Sequence, residues 1–155
     1  MDVMILDVNG IQGDSQIKGF KGKIEVLSFS HGIAMQVGND YRGSRTGGSP
    51  NHQDFAVTKH LDLASVPLVD ACNRGKNLGT VKLIVGRSDR GTVVPVMAYQ
   101  MENVVVSSVS ISGGNGARPV ESITLNYSKI TWTYSAQKPA GDETASWNLA
   151  TNRPG

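Results

Sequence analysis

Three histidines, His31, His52 and His60, are the side chains of this sequence best suited to metal binding or proton transfer. Two of them open His-x-Asp triplets, His52-Gln53-Asp54 and His60-Leu61-Asp62. Alternate residues of a strand share a face, so each triplet offers an imidazole and a carboxylate side by side. The triplets begin eight residues apart (52 to 60) along one predicted strand, too far to share an ion, and no third cluster closes a coordination sphere. His60 and Asp62 read instead as edge groups near a helix start. Ser30 and His31 are adjacent, so their strand side chains point to opposite faces, and no Gly-x-Ser-x-Gly elbow is present. Asp7, Asp14, Glu25 and Glu102 are scattered and form no acid–base pair. Gly113-Gly114-Asn115-Gly116 leads into no helix and cradles no phosphate. The expectation is a chain that catalyses nothing and holds neither metal nor cofactor.

Composition narrows the classes further. Eighteen glycines in 155 residues, roughly 12% against a usual ~7%, ask for many turns. Only 18% of residues are charged, which suits surface that ends up buried in an assembly. A net charge of +2 with no Lys/Arg cluster argues against nucleic acid. No apolar run approaches the ~18 residues of a membrane span. The acidic start MDVMILDVNG is no secretory signal, so the chain is expected to be made in the cytoplasm and to leave only by a route without a cleaved signal. Cys72 stands alone, so no intrachain disulfide forms, and packing must carry the fold.

The elements that must position these residues are mostly strands. Val3–Val8 is apolar and ends at Asn9-Gly10, a strong turn pair. Lys23–Ser30 (KIEVLSFS) reads as one strand whose apolar phase slips between Val26 and Leu27. Gln53–Leu61 places Phe55, Val57 and Lys59 on a shared face. Strands are predicted again at Thr80–Val85, Val93–Met101 and Val104–Ile111, with Ser88–Gly91 as a hairpin loop. In ESITLNYSKITWTY, residues 121–134, Ile123, Leu125 and Tyr127 are odd-numbered whereas Ile130, Trp132 and Tyr134 are even. A one-residue slip sends core side chains to the wrong face. With no Gly, Pro or Asn-Gly there, the reading favours one long strand bent by a bulge near Ser128-Lys129 over a break into two.

The one convincing helix lies within Asp62–Lys76, at about residues 65–74. Ser65 serves as N-cap, Pro67 sits in the first turn, Arg74-Gly75 marks the end, and Leu68, Val69 and Cys72 supply the apolar face. Gly32–His52 shows neither period and reads as a long loop. Residues 1–134 form the barrel domain and 135–155 a C-terminal arm anchored by Trp147. The fold class is mainly β: a small closed barrel, or two packed antiparallel sheets, with one flanking helix.

The succession QDFAVTKHLDLASVPL, VVVSSVSISGG and ITLNYSKITWTY resembles the Hcp family, the tube protein of bacterial type VI secretion. Gly13-Asp14-Ser15 resembles the family's Gly-acid-Ser turn, and Leu27–Gly32 its aromatic-Ser-aromatic-Gly strand end. Asp62, Ser65 and Leu68 stand where the family's single helix begins, and Trp147-Asn148 resembles its C-terminal Trp-Asn element. Two departures are His31, where an aromatic is usual, and Asp14 in place of Glu. The resemblance implies hexameric rings stacked into a tube and fired inside a contractile sheath behind a spike protein. It also implies small effector proteins in the lumen and secretion to the medium or a target cell. On that reading Ser28 and Ser30, which share a strand face, are candidates for the lumen. Tyr41, Arg42 and Arg45 are candidates for contact with the next ring, because the loop's five glycines leave its order to a partner. The alternatives are a phage-like tail-tube subunit or, from another class, a ligand-binding or enzymatic β-barrel.

Overall fold

Alternating apolar residues make each strand one-sided, and two one-sided sheets must bury their apolar faces against each other. The computed structural model describes residues 2–37, 47–135 and 141–155. Among these, the strands are β1 (Asp2–Val8), β2 (Ile24–Glu25), β3 (Ser28–Ser30), β4 (Ile33–Val37), β5 (Gly47–His52) and β6 (Phe55–His60). After helix α1 (Ser65–Arg74) come β7 (Val81–Asp89), β8 (Thr92–Glu102), β9 (Val105–Gly114), β10 (Ala117–Asn126), β11 (Lys129–Tyr134), β12 (Glu143–Asn148) and β13 (Arg153–Pro154). A seven-stranded sheet runs β13-β12-β11-β8-β7-β1-β2, a four-stranded sheet runs β3-β6-β10-β9, and β4 pairs with β5 alone. Every pairing is antiparallel.

The core lies between the two larger sheets. Leu6, Leu83, Met101 and Ile130 from the first meet Phe55, Val57, Val106, Ile123 and Leu125 from the second. Large aliphatic and aromatic side chains of this kind contribute about 1.5–3 kcal/mol each when fully buried. The face expected for β6 is observed: Phe55, Val57 and Lys59 are all buried.

Both phase slips have a different cause from the one expected. Residues 121–134 are two strands, not one bulged strand: β10 ends at Asn126 in the four-stranded sheet and β11 begins at Lys129 in the seven-stranded sheet. The chain turns the corner at Tyr127-Ser128. Ile123 and Leu125 point inward from one wall and Ile130 and Trp132 from the opposite wall, so the parity must change at the crossing. Lys23–Ser30 likewise divides into β2 and β3. Successive amides show the switch: Val26 donates to the Met4 carbonyl at 3.0 Å in one sheet, and Leu27 to the Thr58 carbonyl at 2.7 Å in the other.

Helix α1 has the expected bounds but not the expected cap. Ala64 occupies the N-cap position without a side-chain hydrogen bond. Ser65 lies just inside the helix, where its Oγ accepts the Asp62 amide at 2.9 Å, while Asp62 Oδ1 accepts the Ala64 amide at 2.9 Å. The far end closes on Gly75 at φ 57°, with the Gly75 amide on the Cys72 carbonyl and the Lys76 amide on that of Ala71. Ser65, Leu68 and Ala71 are the buried stripe. Cys72 packs against the core, but Val69 is 41% exposed, so the apolar face is rotated from the one expected.

The segment Gly32–His52 is not structureless. Its two arms, β4 and β5, pair as a hairpin. Burial dictates no alternation here, since Ile33 to Val37 are all exposed, and β5 reads GGSPNH. Residues 143–148 add β12 along the whole of β11, with Trp147 opposite Ile130. Gly13, in the expected turn, is required by space: a Cβ there would stand 2.5 Å from the Lys23 carbonyl oxygen.

Candidate functional site

The four-stranded sheet has one buried face, apolar but for the Lys59–Glu121 pair, and one face of short hydroxyls, because Ser and Thr alternate with Val, Ile and Leu in three of its strands. The pairing register aligns them in rows across the sheet. Ser30, Ala56, Thr124 and Ser108 form one row, and Ser28, Thr58, Ser122 and Ser110 the next. Neither row contains a charged residue. Ser28 and Thr58 hydroxyls bond to each other, and Thr124 Oγ1 lies 2.6 Å from Ser108 Oγ and 2.7 Å from Ser107 Oγ. Ser28 and Ser30 are both exposed, whereas Phe29 between them packs on Phe55 at 5.8 Å between ring centroids. The hydroxyls on β6, β9 and β10 were the missed part of this face. Their signal is in the sequence, in SSVSIS and SITLN, but only the register brings them beside Ser28 and Ser30.

At one end of this sheet the hairpin leaves the barrel. Ile33, Met35 and Val37 occupy one face of β4 and are exposed at 48%, 47% and 49%. Tyr41, Arg42 and Arg45 lie outside the described residues. Among the described residues no strand pairs with the outer edge of β9, Val105–Gly114, ten residues with no charge and no proline.

The histidines do not form the arrangement their spacing suggested. His52 turns to His31 and Tyr127: His31 Nε2 lies 2.5 Å and His52 Nδ1 3.3 Å from Tyr127 Oη, which donates to the Gln53 carbonyl at 3.2 Å. Burial lowers the pKa of both imidazoles, and the charge of His52 lowers that of His31 further. Desolvation, with a smaller effect from the Asp54 carboxylate, raises the Tyr127 phenol well above its usual range. Asp54 instead accepts from Ser107 at 2.6 Å and Asn126 at 2.9 Å. His60 lies at the end of β6, away from this cluster, and Asp62 binds Lys59 Nζ at 2.6 Å. Among the described residues no group of three His, Cys, Asp or Glu could hold a metal ion. Nor is any helix among them long and apolar enough to cross a membrane.

Three comparisons agree with this geometry. The family described as "Type VI secretion system effector, Hcp" matches residues 5–134. Protein hcp1 of Pseudomonas aeruginosa is 29% identical over 155 residues, spanning 96% of this chain and 96% of its own length. The solved structure of a type six secretion system protein superposes with a TM-score of 0.91 at 27% identity, covering 100% of both chains. Hcp1 from Salmonella typhimurium superposes with a TM-score of 0.84 at 25% identity, covering 99% of this chain and 98% of its own.

Proposed function

The chain belongs to the Hcp family, secreted structural proteins of the type VI secretion system without enzymatic activity, and from that premise we propose that it is a tube subunit. Six copies close into a ring, and rings stack into a tube that leaves the cell behind a spike protein, inside a contractile sheath, carrying small effector proteins.

The observation that carries this reading is the outer edge of β9, which no strand pairs among the described residues. Soluble proteins protect an exposed edge strand with charge, proline or a bulge that twists it away, because its free amides and carbonyls invite another strand. Here ten residues run along the edge with no charge and no proline, and although α1 packs on the strand and a bulge falls at Ser107, Ser108–Ser112 stay in regular register. At the other edge of the same sheet stands β3, three residues long. Two different edges of one sheet are what a head-to-tail ring interface needs, and such an interface closes when the rotation divides the circle. A ring built this way carries the sheet's outer face around one surface. If that surface is the lumen, cargo slides past short uncharged hydroxyls, which hydrogen-bond weakly and hold no counter-ion. The exposed stripe of Ile33, Met35 and Val37 then gives the hairpin something to bury against the next ring.

Multi-angle light scattering at tens of micromolar tests the assembly. A particle of about six chains is expected, and a stable monomer overturns the proposal.

A further inference from the structure

The two feet of the β4–β5 hairpin meet on a single phenol. His31 stands two residues before Ile33, the first residue of β4, and His52 is the last residue of β5. Both imidazoles turn toward Tyr127 Oη, and their ring centroids are 6.2 Å apart. Phe55 of β6 stacks on His31 at 5.3 Å, and Trp132 of β11 lies 6.3 Å from His31 and 6.2 Å from His52. Tyr127 is itself the corner residue where the chain passes from one sheet to the other, and it is 5% exposed. The hairpin is thus tied, through one hydroxyl, to the rigid junction of the two sheets.

We propose that His31, His52 and Tyr127 form an acid-operated clasp that fixes the direction of the hairpin and releases it when both imidazoles become charged. The proposal rests on the reading of the hairpin as a contact between rings, because it makes that contact the part that acid loosens.

A phenol oxygen has one hydrogen and two lone pairs, so two neutral imidazoles and the Gln53 carbonyl can all be served by it. Two imidazolium ions in the same half-buried, aromatic-walled space repel each other and lose hydration. Among the described residues no carboxylate acts on either imidazole to offset this. The carboxylate that acts on Tyr127 is Asp54, and it is already engaged by Ser107 and Asn126. Tyr127 stays protonated, since burial raises its pKa. Among the described residues the remaining walls, Phe55 and Trp132, are uncharged. The sign follows from the lowered imidazole pKa values. The clasp is at full strength above the ordinary imidazole value of about 6.5, and it is lost as pH falls through the lower folded-state values. Release requires water to reach the pair, and water has a path because both rings are only partly buried.

Amide hydrogen exchange on the full chain at about pH 7.5 and about pH 5, corrected for the intrinsic rate, is the test. Protection of residues 33–37 and of 48, 49, 51 and 52 should fall about tenfold in acid relative to β7 and β8. In H31F/H52Q, which keeps a ring at 31 and a hydrogen-bonding amide at 52 but cannot charge, it should change less than about twofold. Equal protection of the wild-type hairpin at both pH values overturns the clasp, as does an equal loss in the double variant. If that variant fails to fold, W147F leaves Trp132 as the sole tryptophan. Its emission should then be quenched as pH falls from about 7.5 to about 5 and the imidazoles charge, and flat emission overturns the clasp. Light scattering at both pH values separates the two readings. Monomers with an acid-loosened hairpin would sink the tube and keep the clasp, whereas rings with an unchanging hairpin would do the reverse.

Discussion

The ammonium of Lys59 and the carboxylate of Glu121 face each other at 2.6 Å with side-chain exposures of 0% and 2%. They are cross-strand neighbours on the inner face of the four-stranded sheet, directly opposite in register. The same ammonium also reaches the His60 carbonyl at 3.1 Å, Asp62 Oδ1 at 2.6 Å and Ser65 Oγ at 3.2 Å. Lys59 thus fastens the start of α1 to β6 and β10. Removing Lys59 alone, as Lys59→Met, leaves buried carboxylates uncompensated and should cost about 3–5 kcal/mol. Lys59→Met with Glu121→Leu should cost clearly less than the two single changes summed. Urea titrations of the four proteins in the cycle read this. Simple additivity would mean that the pair is not coupled.

Gly13→Ala and Gly48→Ala should differ sharply. At Gly13 the new methyl would meet the Lys23 carbonyl oxygen at 2.5 Å and the Ile24 Cα at 2.9 Å, both backbone, so the turn must shift at a cost of about 1–3 kcal/mol. At Gly48 the nearest atom is the Gln36 carbonyl oxygen at 3.8 Å, ordinary contact. That substitution should be neutral or stabilise by up to about 1 kcal/mol by stiffening the unfolded chain. Thermal melts in parallel rank the pair, and equal losses would contradict the assignment of Gly13 as a sterically required glycine.

Ser30→Gln should change cargo retention and leave particle size unchanged. Ser30 is exposed at the edge of the hydroxyl face, so a longer amide meets no core atoms and needs no repacking. Co-purification of a small effector with wild-type and variant particles, sized in parallel, reads both properties. Loss of the particle itself would place Ser30 in a subunit interface instead of a lumen.

Replacing residues 40–49 with a few glycines should separate rings from tubes. The core residues lie outside the hairpin, and changing loop length alone costs only about 0.6 kcal/mol per doubling. The variant also removes Gly47–Ser49, half of β5, with the Val37–Gly47 pairing and the exposed contact in which Ser49 Oγ accepts from Asn152 at 3.1 Å, all outside the core. Electron microscopy should find intact rings, no tubes at high concentration and no protein in the culture supernatant. Normal secretion would show the hairpin tip to be dispensable.

What the sequence determined by itself is what short-range chemistry can encode. Alternation put Phe55, Val57 and Lys59 on one face, and the glycine at 75 stopped the helix where it does stop. The turn pairs Arg90-Gly91 and Asn115-Gly116, all four at positive φ, close hairpins, the first of them inside the expected Ser88–Gly91 loop. The quoted motifs were enough to carry the family resemblance across the chain. Tertiary structure alone decided which sheet each strand joins. A one-residue change of phase looks the same whether a strand bulges or crosses to the opposite wall, so Val26-Leu27 and Tyr127-Ser128 were ambiguous until their pairing partners were known. The hairpin was illegible for the opposite reason, since a strand exposed on both faces imposes no pattern. The meeting of His31, His52 and Tyr127 joins residues up to 96 positions apart. No local signal encodes such a meeting, because it exists only once both sheets have closed on their shared core.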